Sequence, residues 1–171
     1  MAVTNGSFKD GATGWTLGSG LFYDNTYGFD DLSSIGFSGF TGQSRMTNDE
    51  FVQVYPGQSI TATAMIQQGA NSNGAVGAAA GIVWYDASDV EISQSAGNFV
   101  SSGSGGRWNQ SSVTATAPAG AAKAKFAGLF FRNSGSAKLS FDVADWNYVF
   151  NRTIILVAPV NGQQFSTDDN I

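Results

Sequence analysis

An all-β fold, a sandwich or barrel of short antiparallel strands, is what this sequence predicts. Three observations carry that reading. Short apolar runs alternate with polar residues at a period of two and end at Pro and Gly turn signals. Helix-building residues are scarce: Glu, Lys and Leu are few, and charged residues make up only 12% of the chain. Gly is abundant, at 22 of 171 residues, and Ser, Thr and Asn fill many polar positions. With 42% hydrophobic residues, the length suffices for one domain with a sizeable core.

The elements follow in order. The stretch NGSFKDGATGW, Asn5 to Trp15, holds two turn signals, a Phe and a Trp. Residues 16 to 50 interleave Gly with Phe, Tyr and Asp. They read as an irregular strand and long loops covering one edge, with aromatics filling the core end. FVQVY is a strand, closed by Pro56-Gly57, which suits a type II turn. In QSITATAMIQQ, Ile60, Ala62, Ala64 and Ile66 alternate with polar residues, the pattern of a half-buried strand. GANSNGAVG is a loop, AAAGIVWYD a more continuously apolar strand, and DASD a turn before VEISQS. GNFVSSGSGG is a loop, and RWNQSSVTATAP a strand that stops at Pro118.

AKAKFAGLFFRN and AKLSFDVADW complete the set, joined by NSGS. Ala124, Phe126, Gly128 and Phe130 share one face of the former. Lys125, Ala127, Leu129 and Phe131 share the other, which begins charged and turns apolar. That predicts a strand half-covered by another surface, either this chain's C-terminal segment or a partner subunit. The sandwich is expected over residues 1–148. Residues 149–171 form a C-terminal extension whose TIILVAP run and Asn-Gly turn read as a further strand pair or a docking or strand-exchange arm.

Charge and composition exclude several functions. Net charge is −5 and the Lys and Arg residues are scattered, so no nucleic-acid footprint exists. No apolar run approaches the ~20 residues of a membrane-spanning helix. The opening MAVTNGSF lacks a basic and apolar leader, which predicts synthesis in a cytoplasm. His and Cys are absent, which removes thiol chemistry, the commonest general base and the commonest zinc ligand. The remaining acid–base option is a carboxylate pair: Asp30-Asp31, Asp49-Glu50, Asp86-Asp89 or Asp142-Asp145. None sits in a catalytic context, so the chain is not expected to be an enzyme. Sugar binding needs aromatic platforms with planar polar partners. Trp84 and Tyr85 are adjacent in a strand, so one faces in and the other out. The outward one is the platform candidate, with Gln53, Gln67 and Asn109 as polar partners.

The motifs also have an order. Asn5, Phe8, Gly11 and Gly14-Trp15 precede V-Y-P-G-Q at Val54 to Gln58 and I-V-W-Y-D at Ile82 to Asp86. W-N-Q-S-S-V-T-A-T-A-P at Trp108 to Pro118, A-G-A-A-K-A at Ala119 to Ala124 and L-S-F-D-V at Leu139 to Val143 follow. The series resembles the jelly-roll carbohydrate-binding modules found beside xylanases and glucanases, over roughly residues 3 to 146. The resemblance implies a jelly-roll sandwich of two antiparallel sheets, a first strand over the N-x-x-F segment, and Trp15 and Trp108 in the core. It also implies a structural calcium between the Asn5 to Asp10 segment and Asp142, with Asn5, Asp10 and Asp142 as ligands. Lys9 departs from the pattern, since the family commonly has an acid there. Either Asp10 compensates, or Lys9 replaces the metal by pairing with Asp142. In the extension, L-V-A-P-V-N-G-Q-Q-F looks like the opening strands of bacterial immunoglobulin-like repeats.

The same jelly roll is reused in phage virion proteins. The expected function is therefore a non-catalytic surface module of a phage capsid or tail, with glycan adhesion. The alternative is a carbohydrate-binding module of a secreted polysaccharide-degrading enzyme. The expected partners are other virion subunits, or self-association through Val149–Ile171, and a surface glycan. The expected location is the virion surface, or, in the alternative, the secreted space.

Overall fold

In the computed structural model, residues 3–68, 76–101, 106–133 and 139–149 are described, without the side chains of residues 143 and 146–149. Of the arm expected over residues 149–171, only Val149 is among them, and it ends the last strand in register with Ser59. Twelve strands and no helix stand among the described residues. They are β1 (Trp15–Leu17), β2 (Leu21–Asp24), β3 (Ser34–Phe37), β4 (Gly42–Asn48), β5 (Val52–Gln53) and β6 (Ser59–Gln68). The rest are β7 (Val76–Tyr85), β8 (Glu91–Ala96), β9 (Val100–Ser101), β10 (Trp108–Thr116), β11 (Lys123–Arg132) and β12 (Leu139–Val149).

The strands form two antiparallel sheets. Sheet A runs β1-β4-β11-β7-β8, with β5 beside β11 and β9 beside β7. Sheet B runs β10-β6-β12-β3-β2. Period-two parity decides which residues meet between them. Ile60, Ala62, Ala64 and Ile66 of β6 turn inward and are buried, as expected. They face Ala78, Ala80, Ile82 and Trp84 of β7 and Phe126 and Phe130 of β11, all in one core. A chain of ring contacts runs through it. Phe8 meets Trp15 at 5.1 Å, Trp15 meets Phe126 at 5.9 Å, and Phe126 meets Phe141 at 6.4 Å. Phe141 meets Phe130 at 5.5 Å, and Phe130 meets Phe37 at 5.4 Å. These tilted and edge-on contacts add specific packing to the area buried.

The opening stretch is not the expected first strand. Asn5 and Phe8 have φ of 51° and 55°, so the segment is a run of turns. The Asn5 side chain holds the run closed: its amide donates to Gly11 O at 2.9 Å and Thr13 O at 3.0 Å, and its carbonyl accepts Asp10 N–H. Trp15 opens β1 in the core, with its indole donating to Asn5 O at 3.1 Å. The turn leans on the last strand where β12 shifts register between Asp142 and Asp145. There Ala144 N–H donates to Gly6 O at 2.9 Å. Residues 16 to 50 are more regular than expected, supplying β1 to β4 to both sheets. Phe37 fills the core, while Phe22, Tyr27 and Phe29 remain exposed.

Candidate functional site

The outer face of sheet A carries a groove of about 600 Å³. Its floor is Leu129 and Phe131 of β11, its walls Gln43 and Arg45 of β4 and Gln94 and Phe99 from the other side, with Asn133 at one end. Parity puts these groups there: Leu129 and Phe131 share the outward face of β11 with Lys123, Lys125 and Ala127. β7 makes room with small residues. A Cβ on Gly77 would stand 2.5 Å from the Phe131 ring, and one on Gly81 would stand 2.9 Å from Leu129. Phe99, 43% exposed, packs edge-on against Phe131 at 5.3 Å.

The groove is bounded by a latch. Arg45 on β4 donates both guanidinium nitrogens to Glu91 on β8, each at 2.9 Å, and one of them also to Gln94 at 3.3 Å. β11 and β7 lie between these strands. Val83, Ala127 and Leu129 form a second buried cluster on this face, with Tyr85 against it. Among the described residues, the latch thus covers part of this face; the cover expected from the C-terminal segment or a partner lies outside them. The Glu91 hydrogen bond pushes the Arg45 guanidinium up from its ordinary value, with burial opposing. Burial pushes the Tyr85 phenol up, and the Glu91 charge adds to this while Arg45 opposes it. Beyond the latch, Tyr85 packs edge-on against Phe51 at 5.1 Å, and Lys123 pairs with Asp89.

The outer face of sheet B is built differently. Trp108 shares parity with exposed Ser112 and Thr114, so it lies outside the core rather than within it. Tyr27 stacks on it at 5.7 Å and Phe29 meets it edge-on at 5.7 Å. Gln67, buried beneath, donates to Tyr27 Oη and Gly106 O. The β2–β3 loop also buries Asp142, whose carboxylate accepts Phe29 N–H at 2.7 Å. Asp30, Asp31 and Asp142 each offer a carboxylate oxygen, all within 4.8 Å of one another. Asp31 Oδ1 accepts Ser33 N–H at 2.6 Å. Its Oδ2 is buried without a hydrogen bond, and the Lys9 ammonium stands 3.6 Å away. Three clustered carboxylates, one of whose oxygens has the Lys9 ammonium but no hydrogen bond, fit a hard divalent cation such as calcium, which would offset two of the three charges and tie the loop to β12.

The residues singled out from sequence thus divide. Trp84 faces inward, 1% exposed, and its indole donates to Ser95 Oγ at 3.0 Å. Tyr85 faces outward on sheet A, where Gln53 is paired in register with Lys123. Gln67 and Asn109 belong to sheet B, on the opposite side of the sandwich, and the Asn109 amide donates to Arg107 O. Of the three expected metal ligands only Asp142 joins the acidic cluster. Asn5 is spent on its own turn, and Asp10 stands outside the group. Lys9 pairs with Asp31, not with Asp142. Sequence reading missed Arg45, Glu91, Gln94 and Phe99, whose positions depend on strand order.

Fold and strand order define the class: a jelly-roll β-sandwich of the carbohydrate-binding-module type. No family model matches the chain, and no curated protein matches it. Among solved structures, the enzymatically active domain of tailspike protein 4 of bacteriophage CBA120 is similar, with a TM-score of 0.59 at 16% identity. The match covers 85% of this chain and 21% of that one, so this chain spans about a fifth of the length of that domain. The CBM22-1 xylan-binding domain of Paenibacillus barcinonensis Xyn10C matches with a TM-score of 0.59 at 14% identity, over 84% of this chain and 91% of that one. The C-terminal family 22 module of Clostridium thermocellum Xyn10B, whose cleft residues act in ligand binding, matches with a TM-score of 0.60 at 10% identity. It covers 83% of this chain and 90% of that one. At such identities the likeness is one of fold.

Proposed function

We propose that this chain is a non-catalytic surface module of a phage particle, in its capsid or tail, that holds a glycan in the groove of sheet A. One observation carries the reading: an open groove joins two aromatic rings, the exposed Phe99 of its wall and the half-buried Phe131 of its floor, with amide and guanidinium side chains, Gln43, Gln94 and Arg45. Aromatic faces take the C–H side of a pyranose, and planar polar groups take its hydroxyls. The tailspike likeness supports the particle setting. The acidic cluster lies on the other sheet, away from the groove, which supports a binding rather than a hydrolytic role. In this reading Val149–Ile171 is the docking arm to other subunits, by strand addition.

Affinity electrophoresis of the full chain in gels carrying soluble polysaccharides tests it. A retarded band, restored to free mobility by Phe131→Ala with unchanged circular dichroism, is the expected result. No retardation on any polysaccharide sinks the glycan reading. Detection of the chain in purified particles tests the setting. A second reading has its own support, because the xylanase modules match over nearly their whole length. There the chain serves a secreted polysaccharide-degrading enzyme, and the same groove binds its substrate.

A further inference from the structure

The outer face of sheet A holds Arg45, Lys123 and Lys125, three of the eight Lys and Arg residues in the chain. Two are committed, Arg45 to Glu91 and Lys123 to Asp89. Lys125 pairs with no carboxylate among the described residues. Its ammonium instead stands 4.4 Å from the centroid of the Phe51 ring. That ring lies at 87° to Tyr85. The ring face attracts the cation and holds it at this spot rather than letting it sweep through solvent. Nearby carboxylates are engaged elsewhere. Asp49 accepts from the Thr16 hydroxyl at 2.7 Å, Glu50 accepts from the Thr4 hydroxyl, and Asp86 accepts the Ser88 and Val90 N–H groups.

We infer that the glycan taken by this face is anionic, its sugars bearing carboxylate or sulfate, with Lys125 pairing the charge and Tyr85 lying against the sugar ring. The inference rests on the glycan-binding reading above and names its ligand class; neither residue lines the groove itself, so the charged sugar lies across the latch from it, on the same face. The ammonium stands over Phe51, and the half-buried Tyr85 ring lies edge-on against that same ring; among the described residues the Tyr85 hydroxyl makes no hydrogen bond. In this inference it donates to a sugar oxygen. An aromatic platform beside one held, unpaired cation is what an acidic sugar needs. A neutral glycan would leave that cation, among the described residues, with the Phe51 ring alone.

The test uses the full chain and three probes: polygalacturonate, its carboxyl-reduced neutral counterpart, and dextran sulfate. Titration calorimetry should give at least about tenfold tighter binding to one or both anionic polymers than to the neutral one, the scale of one charge-assisted hydrogen bond. Which anionic polymer binds separates carboxylate from sulfate recognition. Lys125→Gln should abolish that tenfold preference, Lys125→Arg should keep it, and added salt should weaken it. Equal affinity for the neutral polymer, unchanged by Lys125→Gln, overturns the charge inference and leaves glycan binding standing. Anionic binding that Lys125→Gln leaves intact overturns it as well, since the contact is then a diffuse one. Binding to none of the three overturns it too. A polysaccharide gel that still retards the chain would then spare the broader reading.

Discussion

Replacing Lys9 by Met tests whether the acidic cluster is a cation site that this chain has filled with its own ammonium. Lys9 stands 3.6 Å from Asp31 Oδ2, beside the carboxylates of Asp30 and Asp142. Coulomb's law gives that pair about 1 kcal/mol in water and about 5 kcal/mol at an effective dielectric constant of 20. The Lys9 side chain is 62% exposed and that of Asp31 is 23% exposed, so solvent screens the pair. The lower figure applies, about 1 kcal/mol, or a fall in Tm of about 2–4 °C for a domain of this size. Calcium should reverse the loss. An ion bound only by the folded chain, at 100 times its Kd, adds about 2.7 kcal/mol, or about 5–10 °C. Differential scanning calorimetry of both full-length proteins at low ionic strength, in EDTA and in calcium, reads these shifts. The wild type, whose ammonium competes with the ion, should respond less than half as much as the variant. Suppose Lys9→Met stays folded, matches the wild type in EDTA and ignores calcium. Then the ammonium does not compensate the cluster and the three carboxylates are not a cation site.

Three further outcomes are expected. Gly6→Ala places a Cβ 2.2 Å from Ala144 O. The turn must then move off β12 and break the Ala144 N–H bond, at about 2–4 kcal/mol. A urea midpoint that does not fall, at constant m, would show that the turn does not lean on β12. Asn98→Ala frees Ser112 N–H and Gln110 O on the β10 edge, both now held by the Asn98 side chain. It should cost about 1 kcal/mol and promote concentration-dependent association, read by light scattering. Glu91→Gln keeps the shape of the latch and drops its charge, so stability should change by less than about 1 kcal/mol. Affinity for an anionic glycan should rise as Arg45 becomes a second free cation, and unchanged affinity would place Arg45 outside the ligand's reach.

What could be read from sequence was whatever one strand decides alone. Parity separates Ile60, Ala62, Ala64 and Ile66 from their polar neighbours, and it also separates Phe126 and Phe130 from Leu129 and Phe131. Adjacency alone says that one of Trp84 and Tyr85 faces in. It does not say which, because β7 is nearly continuously apolar. The choice follows from Gly77, Ala79, Gly81 and Val83, whose outward face must accept the side chains of β11. What could not be read depends on strand order. Arg45 and Glu91 are 46 residues apart, and Phe29 and Asp142 are 113 apart. Nothing local marks either pair. The N-x-x-F segment failed as a strand for a local reason that was visible only in part. Asn-Gly signals a turn, but the positive φ at Phe8 is set by the bonds the Asn5 amide makes around it.

The two outer faces differ in what covers them. On sheet B the β2–β3 loop lies down over Gln67 and Asp142, drawn by the Phe29 N–H bond and the Tyr27–Trp108 stack, and fills the space a ligand would use. On sheet A no such loop descends. The cover is a side-chain latch between β4 and β8, and it protects Val83 and Ala127 while leaving Phe131 and Phe99 open beside it. A latch of two charged, half-exposed side chains contributes about 1 kcal/mol or less to stability. Changing it therefore changes the groove at little cost to the core. In the proposed reading, Arg45, Glu91 and Lys125 are the positions where ligand choice would shift while the sandwich stays the same.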